Sequence, residues 1–151
     1  MTTAKIGYGT RFLMKELANS TALTKLAEVT SVSLPNEQVA EVEATHYESP
    51  NRTREFIPGL NDAGEITVEM NFDPGSATDL MLVAAKSDNG VRTMRIVTPP
   101  GDDDQMYTFP GFVKGYERGL PLDDRMTATV TIRVAGAVVQ ADAAADVTVL
   151  P

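Results

Sequence analysis

Between Gly64 and Phe72 the chain reads GEITVEMNF, which puts Ile66, Val68, Met70 and Phe72 on one side and Glu65, Thr67, Glu69 and Asn71 on the other. Strict alternation of this kind predicts a strand with one face buried. The period returns in RMTATVTIRV, where Met126, Ala128, Val130, Ile132 and Val134 oppose Thr127, Thr129, Thr131 and Arg133. Together the two segments imply a sheet that is dry on one face and wet on the other.

Weaker strand patterns cover Arg11 to Glu16 and Ala27 to Leu34, the second closed by a turn at Pro35-Asn36. From Gln38 to Tyr47 the alternation directs Ala40, Val42 and Ala44 inward and Val39, Glu41, Glu43 and Thr45 outward. Val91 to Thr98 and Met106 to Tyr116 also read as strands. The latter is interrupted at Pro110-Gly111, as expected of a bulge or an edge, and Gly119 to Asp124 forms a turn. Only DPGSATDLMLVAAKSDNG switches to a helical period. There Ala77, Leu80, Met81 and Ala84 fall on one face, Leu80, Met81 and Val83 read as core, Ser76 and Asp79 resemble a capping box, and Asn89-Gly90 is a stop.

Glu48 to Gly64 combines two prolines, two glycines and the basic pair Arg52 and Arg54, and predicts a long loop. Loops beyond about 12–15 residues without structure of their own are usually functional. This one also carries Phe56, Ile57 and Leu60, apolar groups that call for a partner's surface. Residues 1–10 read as an N-terminal arm and 137–151 as a C-terminal extension. The expected architecture is a single domain over 1–151: a mainly β, antiparallel β-sandwich or partial barrel with one flanking α-helix.

Charge narrows the function. The net charge of −8 would repel a nucleic-acid backbone, which argues against DNA binding and leaves open a surface past which DNA moves without sticking. The chain has no cysteine, so disulfides and thiolate metal sites are excluded. No stretch approaches the roughly 20 apolar residues that span a bilayer, and the N-terminal sequence lacks a signal-peptide pattern, so the expectation is a cytosolic product with no membrane partner.

Candidate chemistry is thin. Asp102, Asp103 and Asp104 lack the ligand spacing of a Ca²⁺ loop and read as a solvated turn. His46, the lone histidine, has no nucleophile to serve. Gly7-Tyr8-Gly9 is a partial G-x-G without the strand and third glycine of a dinucleotide site. Glu65 and Glu69 share one strand face with nothing to split their pKa values as an acid and base require. No catalytic residue, cofactor or metal is expected. A carbohydrate-binding or adhesion β-sandwich would want exposed aromatics in a groove, and the chain has five Phe, four Tyr and no Trp.

The run GEITVEMNFDPGSATDLMLVAAKSDNGVRTMRIVTPPG followed by YTFPGFVKGYERGLPLDDRMTATVTIRVAG resembles the major tail tube proteins of long-tailed, siphovirus-like bacteriophages, the lambda tail-tube-like family. The matching pieces are Arg92 or Arg95 with Ile96 and Val97, then Phe109, Gly111 and Val113, then Thr127 to Val134. The resemblance implies a structural virion protein of the phage tail, made in the host bacterial cytoplasm. It further implies six-fold homo-oligomeric rings stacked into a tube, with tail terminator and tail tip proteins at its ends, a tape measure protein inside, and DNA in transit without specific binding. Under that resemblance, Glu41, Glu43, Glu65 and Glu69 on the strand pair flanking the loop are expected to line the lumen, and Arg52, Arg54, Phe56, Ile57 and Leu60 to make inter-subunit contacts. A tube protein of a phage-derived particle or of a contractile secretion system is the related alternative.

Overall fold

The computed structural model describes residues 4–16, 20–101, 104–143 and 148. Among these residues, ten strands and one α-helix follow in chain order: β1 (Arg11–Lys15), β2 (Leu23–Lys25), β3 (Val29–Val32), β4 (Gln38–Glu43), β5 (Phe56–Asp62), β6 (Glu65–Asn71), α1 (Ala77–Asp88), β7 (Arg92–Val97), β8 (Gln105–Gly119), β9 (Thr127–Val134) and β10 (Val139–Asp142). Eight strands form one antiparallel sheet, ordered β2-β1-β7-β8-β9-β6-β3 with β10 beside β8; β4 and β5 pair separately.

The long β8 gives the molecule its two layers. Its first half pairs with β7 on one side and β10 on the other, and its second half, from Gly111 to Gly119, pairs with β9. The sheet folds over at this strand, so β2-β1-β7 and β9-β6-β3 face each other as a partial barrel. Phe12, Met14, Met94 and Ile96 from one layer and Ile66, Val68, Val130 and Ile132 from the other share one core cluster with Met81, Leu82 and Ala85 of the helix. Each such side chain contributes about 1.5–3 kcal/mol on burial. The two alternating segments behave as predicted along β6 and β9, with Ile66, Val68 and Met70 opposite Ile132, Val130 and Ala128 on the dry face, whereas Met126, expected on that side, precedes β9 and is exposed.

Pro110 does not interrupt β8. Its carbonyl accepts from the Ala135 amide at 2.8 Å, on the side where β10 ends and β9 begins. A strand residue's N–H and C=O point the same way, so the missing donor falls in the gap between two partners and no ladder bond is lost. The irregularity lies instead between Val113 and Gly115.

The helix is bounded as expected. Ser76 Oγ accepts from the Asp79 amide at 3.2 Å, and Asn89 closes the end in the left-handed region at φ 56°. Its orientation differs from the predicted face: Met81, Leu82 and Ala85 are buried, whereas Leu80 and Val83 are 61% and 39% exposed. The run Leu80–Ala85 is apolar nearly all round, so its period cannot choose a face. The choice is made by tertiary contact, because Tyr116 Oη donates to Asp79 Oδ1 at 2.9 Å and ties the helix to β8.

Residues 48–64 are not a structureless loop. After a short 3-10 turn at Pro50–Arg52, β5 returns along β4 from Phe56↔Glu43 to Asp62↔Gln38, with a bulge between Val39 and Glu41. The result is an arm whose two strands pair only with each other among the described residues, tied at its base to β9 by Asp62 and Arg133. All of β4 is exposed, so the predicted inward set of Ala40, Val42 and Ala44 has no core to face within the chain.

Candidate functional site: a wet sheet face, two open edges and an arm

The wet face belongs to the four-stranded ribbon β3-β6-β9-β8. Across it run register rows of residues that share one side: Glu65, Arg133 and Phe112; Thr67, Thr131 and Gly115; Ser31, Glu69, Thr129 and Glu117; Asn71, Thr127 and Gly119. Short hydroxyl side chains dominate. Glu65 is ion-paired with Lys114, and Arg133 Nη2 donates to Asp62 Oδ1 at 2.8 Å. Glu69 and Glu117 flank Thr129 with no cation partner among the described residues.

Glu41 and Glu43 are not on this face. The pairing that would have joined them to Glu65 and Glu69, β4 against β6, is not formed; β6 pairs with β3 and β9, while β4 pairs with β5 on the arm. Predicting 48–64 as a loop made its two flanking strands look like hairpin partners. The hidden third strand takes the place of one of them. Glu117 was missed for a related reason, because the Val113/Gly115 bulge shifts it out of simple alternation.

Both long edges of the ribbon are open. Among the described residues, no strand pairs with β3 on the side away from β6, nor with the second half of β8 on the side away from β9. A groove of about 590 Å³ runs along the β3 edge, between Glu28–Val32 and Gly7–Phe12. The Gly7-Tyr8-Gly9 segment has a structural role in that groove. Gly9 turns at φ +97°, where a Cβ would stand 3.0 Å from Pro100, and Thr10 donates its amide to the Gly7 carbonyl at 3.2 Å.

The arm carries the predicted contact residues at its surface. Phe56, Ile57 and Leu60 are exposed, as are Val39 and Val42, and Arg52 and Arg54 near the tip are exposed with no ion pair among the described residues. His46 organises the tip: its Nε2 lies 3.3 Å from Glu55 Oε2, to which Ser49 Oγ donates at 2.7 Å. At the arm's base Asp62 Oδ1 accepts from the Gly64 amide at 2.8 Å and from Arg133. Those bonds, the amide first and the guanidinium second, hold the Asp62 carboxyl below its usual range.

Asp104 lies 3.9 Å from Arg11, while Asp102 and Asp103 fall outside the described residues. Among the described residues no three acidic or histidine side chains gather as metal ligands, and no helix is long and apolar enough to cross a membrane.

The lambda phage tail tube protein family matches residues 8–141. The chain belongs to this family. It is therefore a structural component of virion tails and not an enzyme. Among solved structures, the chain is similar to a protein from the tail of an empty gene transfer agent particle refined with C6 symmetry, with a TM-score of 0.73 and 17% identity over 90% of this chain and 98% of that one. It is also similar to the SPP1 tail tube protein, at TM-score 0.69 and 13% identity over 94% and 81%. A protein of the PVC extracellular contractile injection system sheath-tube complex aligns at TM-score 0.69 and 13% identity, over 93% of each chain. These identities establish a shared fold. No curated protein sequence matches the chain.

Proposed function

We propose that this tail tube protein closes into hexameric rings through the two open edges of its ribbon, and that the rings stack into a tube whose wall is the Thr- and Glu-rich face. The observation that carries this reading is the parity of the ribbon. Four antiparallel strands leave β3 and β8 running in opposite directions at the two edges. A rotated copy can therefore set its β8 against β3 and continue the antiparallel order, with every subunit making the same contact. Closure would satisfy backbone groups that an open edge leaves to water or to aggregation, and the groove beside β3 supplies room for the incoming strand.

Six copies, the number suggested by the family resemblance and by the C6 symmetry of the gene transfer agent tail, would contribute four strands each. At about 4.8 Å per strand and a tilt of about 35–45°, that barrel has a backbone diameter of roughly 45–50 Å. A DNA duplex fits along its axis. Glu69 and Glu117 would form rings of unneutralised carboxylates that keep the phosphate backbone from adhering during genome ejection. Glu65 and the threonines complete that wall, and Glu41 and Glu43 act on the arm. A tape measure protein before ejection and terminator and tip proteins at the tube ends are the partners this reading requires.

Cryo-electron microscopy of the purified chain tests it. Rings or tubes with a continuous β-wall formed by β3 against β8 are expected, and a monomer that stays dispersed at high concentration overturns the proposal. The likeness to the PVC tube supports a second reading, a tube inside a contractile sheath, which the same specimens would distinguish by recruiting a sheath protein.

A further inference from the structure

Resting on the ring reading above, we infer that the exposed apolar stripe of α1 seats in the groove beside β3 of the neighbouring copy in the same ring. Each lateral contact is then two layers deep, with β8 on the edge of β3 and the helix behind it. The stripe consists of Leu80, Val83 and Ala84, with Ala77 and Ser87 at its ends, and all five are exposed. They recur at three- and four-residue steps and so share one side of the helix, away from the buried Met81, Leu82 and Ala85. An apolar face of this kind calls for cover.

The fold fixes the side on which the helix meets a neighbour. Val113 and Tyr116 belong to the dry side of β8, and Tyr116 Oη holds Asp79 at 2.9 Å, so α1 lies on the dry side of that open edge. On β3 the dry-side residues are Val29 and Val32, packed partly against the core. The groove of about 590 Å³ opens beside them, with the buried Phe12 and Leu26 in its lining and the exposed Tyr8 on its rim. An antiparallel sheet keeps its two faces across a junction. A copy that sets β8 against β3 therefore carries its helix to the groove side and leaves the wet face clear.

Polarity agrees. Asp79 near the start of α1 meets Tyr116, while Arg92, just past its end, pairs with Gly111, so the helix runs antiparallel to β8 and parallel to an incoming β3. The start of β3 thus falls at the start of α1. There Glu28 on the groove and Arg118 on β8, both exposed and without an ion pair among the described residues, stand at the same end of the ribbon, since Val29, Met70, Ala128 and Arg118 form one row across it. Lys25 at the groove and Lys86 on the helix are alike in sign, so the apolar stripe supplies the attraction and the Glu28–Arg118 pair only its direction. Helix and groove are different surfaces of one chain, and such a head-to-tail contact closes as a ring.

Substitution on the full chain tests the inference. Leu80→Glu with Val83→Glu should leave the monomer folded, as judged by its melting temperature, because both side chains lie outside the core. Ring yield should fall about tenfold or more, since two apolar contacts are lost. Because the chain has no cysteine, Leu80→Cys and Tyr8→Cys each give a second readout: maleimide should label both readily in the monomer and both much more slowly in rings. Wild-type ring yield from the double variant, or labelling in rings as fast as in the monomer, overturns the docking. Variant rings that form but fail to stack also overturn it, by showing that the stripe faces the axial neighbour. Failure of the wild type to form rings overturns the ring reading itself.

Discussion

Arg92 is 2% exposed, yet it begins a strand between a helix end and a core. Its guanidinium donates to the carbonyls of Lys15 and Glu16 and to Asp88 Oδ2, the last at 3.1 Å. A single side chain thus ties β1 and the C-terminus of α1 to β7. Arg92→Ala would leave carbonyls without donors and a cavity beside them, so a loss of about 2–4 kcal/mol is expected in denaturant unfolding. Tyr116 is a milder case at the other end of the helix. Burial first, and then its hydrogen bond to Asp79, raise its phenol above the ordinary value of 10.0. The unfolded chain therefore ionises first as pH rises, so this contribution is complete below pH 10 and is lost above it. Tyr116→Phe should cost about 1 kcal/mol at neutral pH and flatten the alkaline fall in melting temperature; an unchanged alkaline limb would show that the phenol is not the group responsible.

At the scale of elements, the fixed point is the junction of arm and body. Asp62 accepts the Gly64 amide and the Arg133 guanidinium, and thereby holds the last residue of β5 against the wet face of the main sheet. Because its folded pKa is lowered, the stabilisation is present above the unfolded value of 3.8 and disappears as pH falls through the folded one. Below about pH 4 the base of the arm should therefore loosen before the core does. Asp62→Asn should reproduce that state at neutral pH, with faster amide exchange in β4 and β5 and unchanged exchange in β6 and β9. The same junction explains which parts of the fold were readable from sequence. β6 and β9 were legible because each has one face against the core, so a period of two is written into their residues. β5 has no buried face at all, contains Pro58 and Gly59, and follows Arg52 and Arg54; nothing in its own sequence distinguishes it from a loop. Its strand character comes from β4 alone. The helix was legible in its caps, Ser76 and Asn89, which are local chemistry, and illegible in its facing, which is set by Tyr116 from a distant strand. Of the acidic residues on the wet face, Glu65 and Glu69 are placed together by alternation on one strand, whereas Glu117 requires the β8-β9 register with its bulge.

For the whole molecule, the net charge of −8 is distributed in a way that matters. Lys114 neutralises Glu65 and Asp62 faces Arg133, so the wet face is nearly balanced except at the row containing Glu69 and Glu117. In a closed ring that row would repeat with every subunit, and the potential inside the tube would depend on two residues per copy rather than on the protein's total charge. Surface charges elsewhere are screened within about 8–10 Å at physiological salt, so acidic groups on the outer wall cannot substitute for them. Glu69→Lys with Glu117→Lys should then leave ring and tube formation intact, because neither side chain enters the core and the edge strand that carries Glu117 meets β3 through its backbone groups. The altered lumen should retain DNA that the wild-type tube releases, with retention falling as salt rises. Tubes assembled around linear duplex and spun through a cushion provide the measurement. If variant and wild type release DNA equally at low salt, the wall that faces the DNA is not this one, and the ribbon's wet face must point away from the channel.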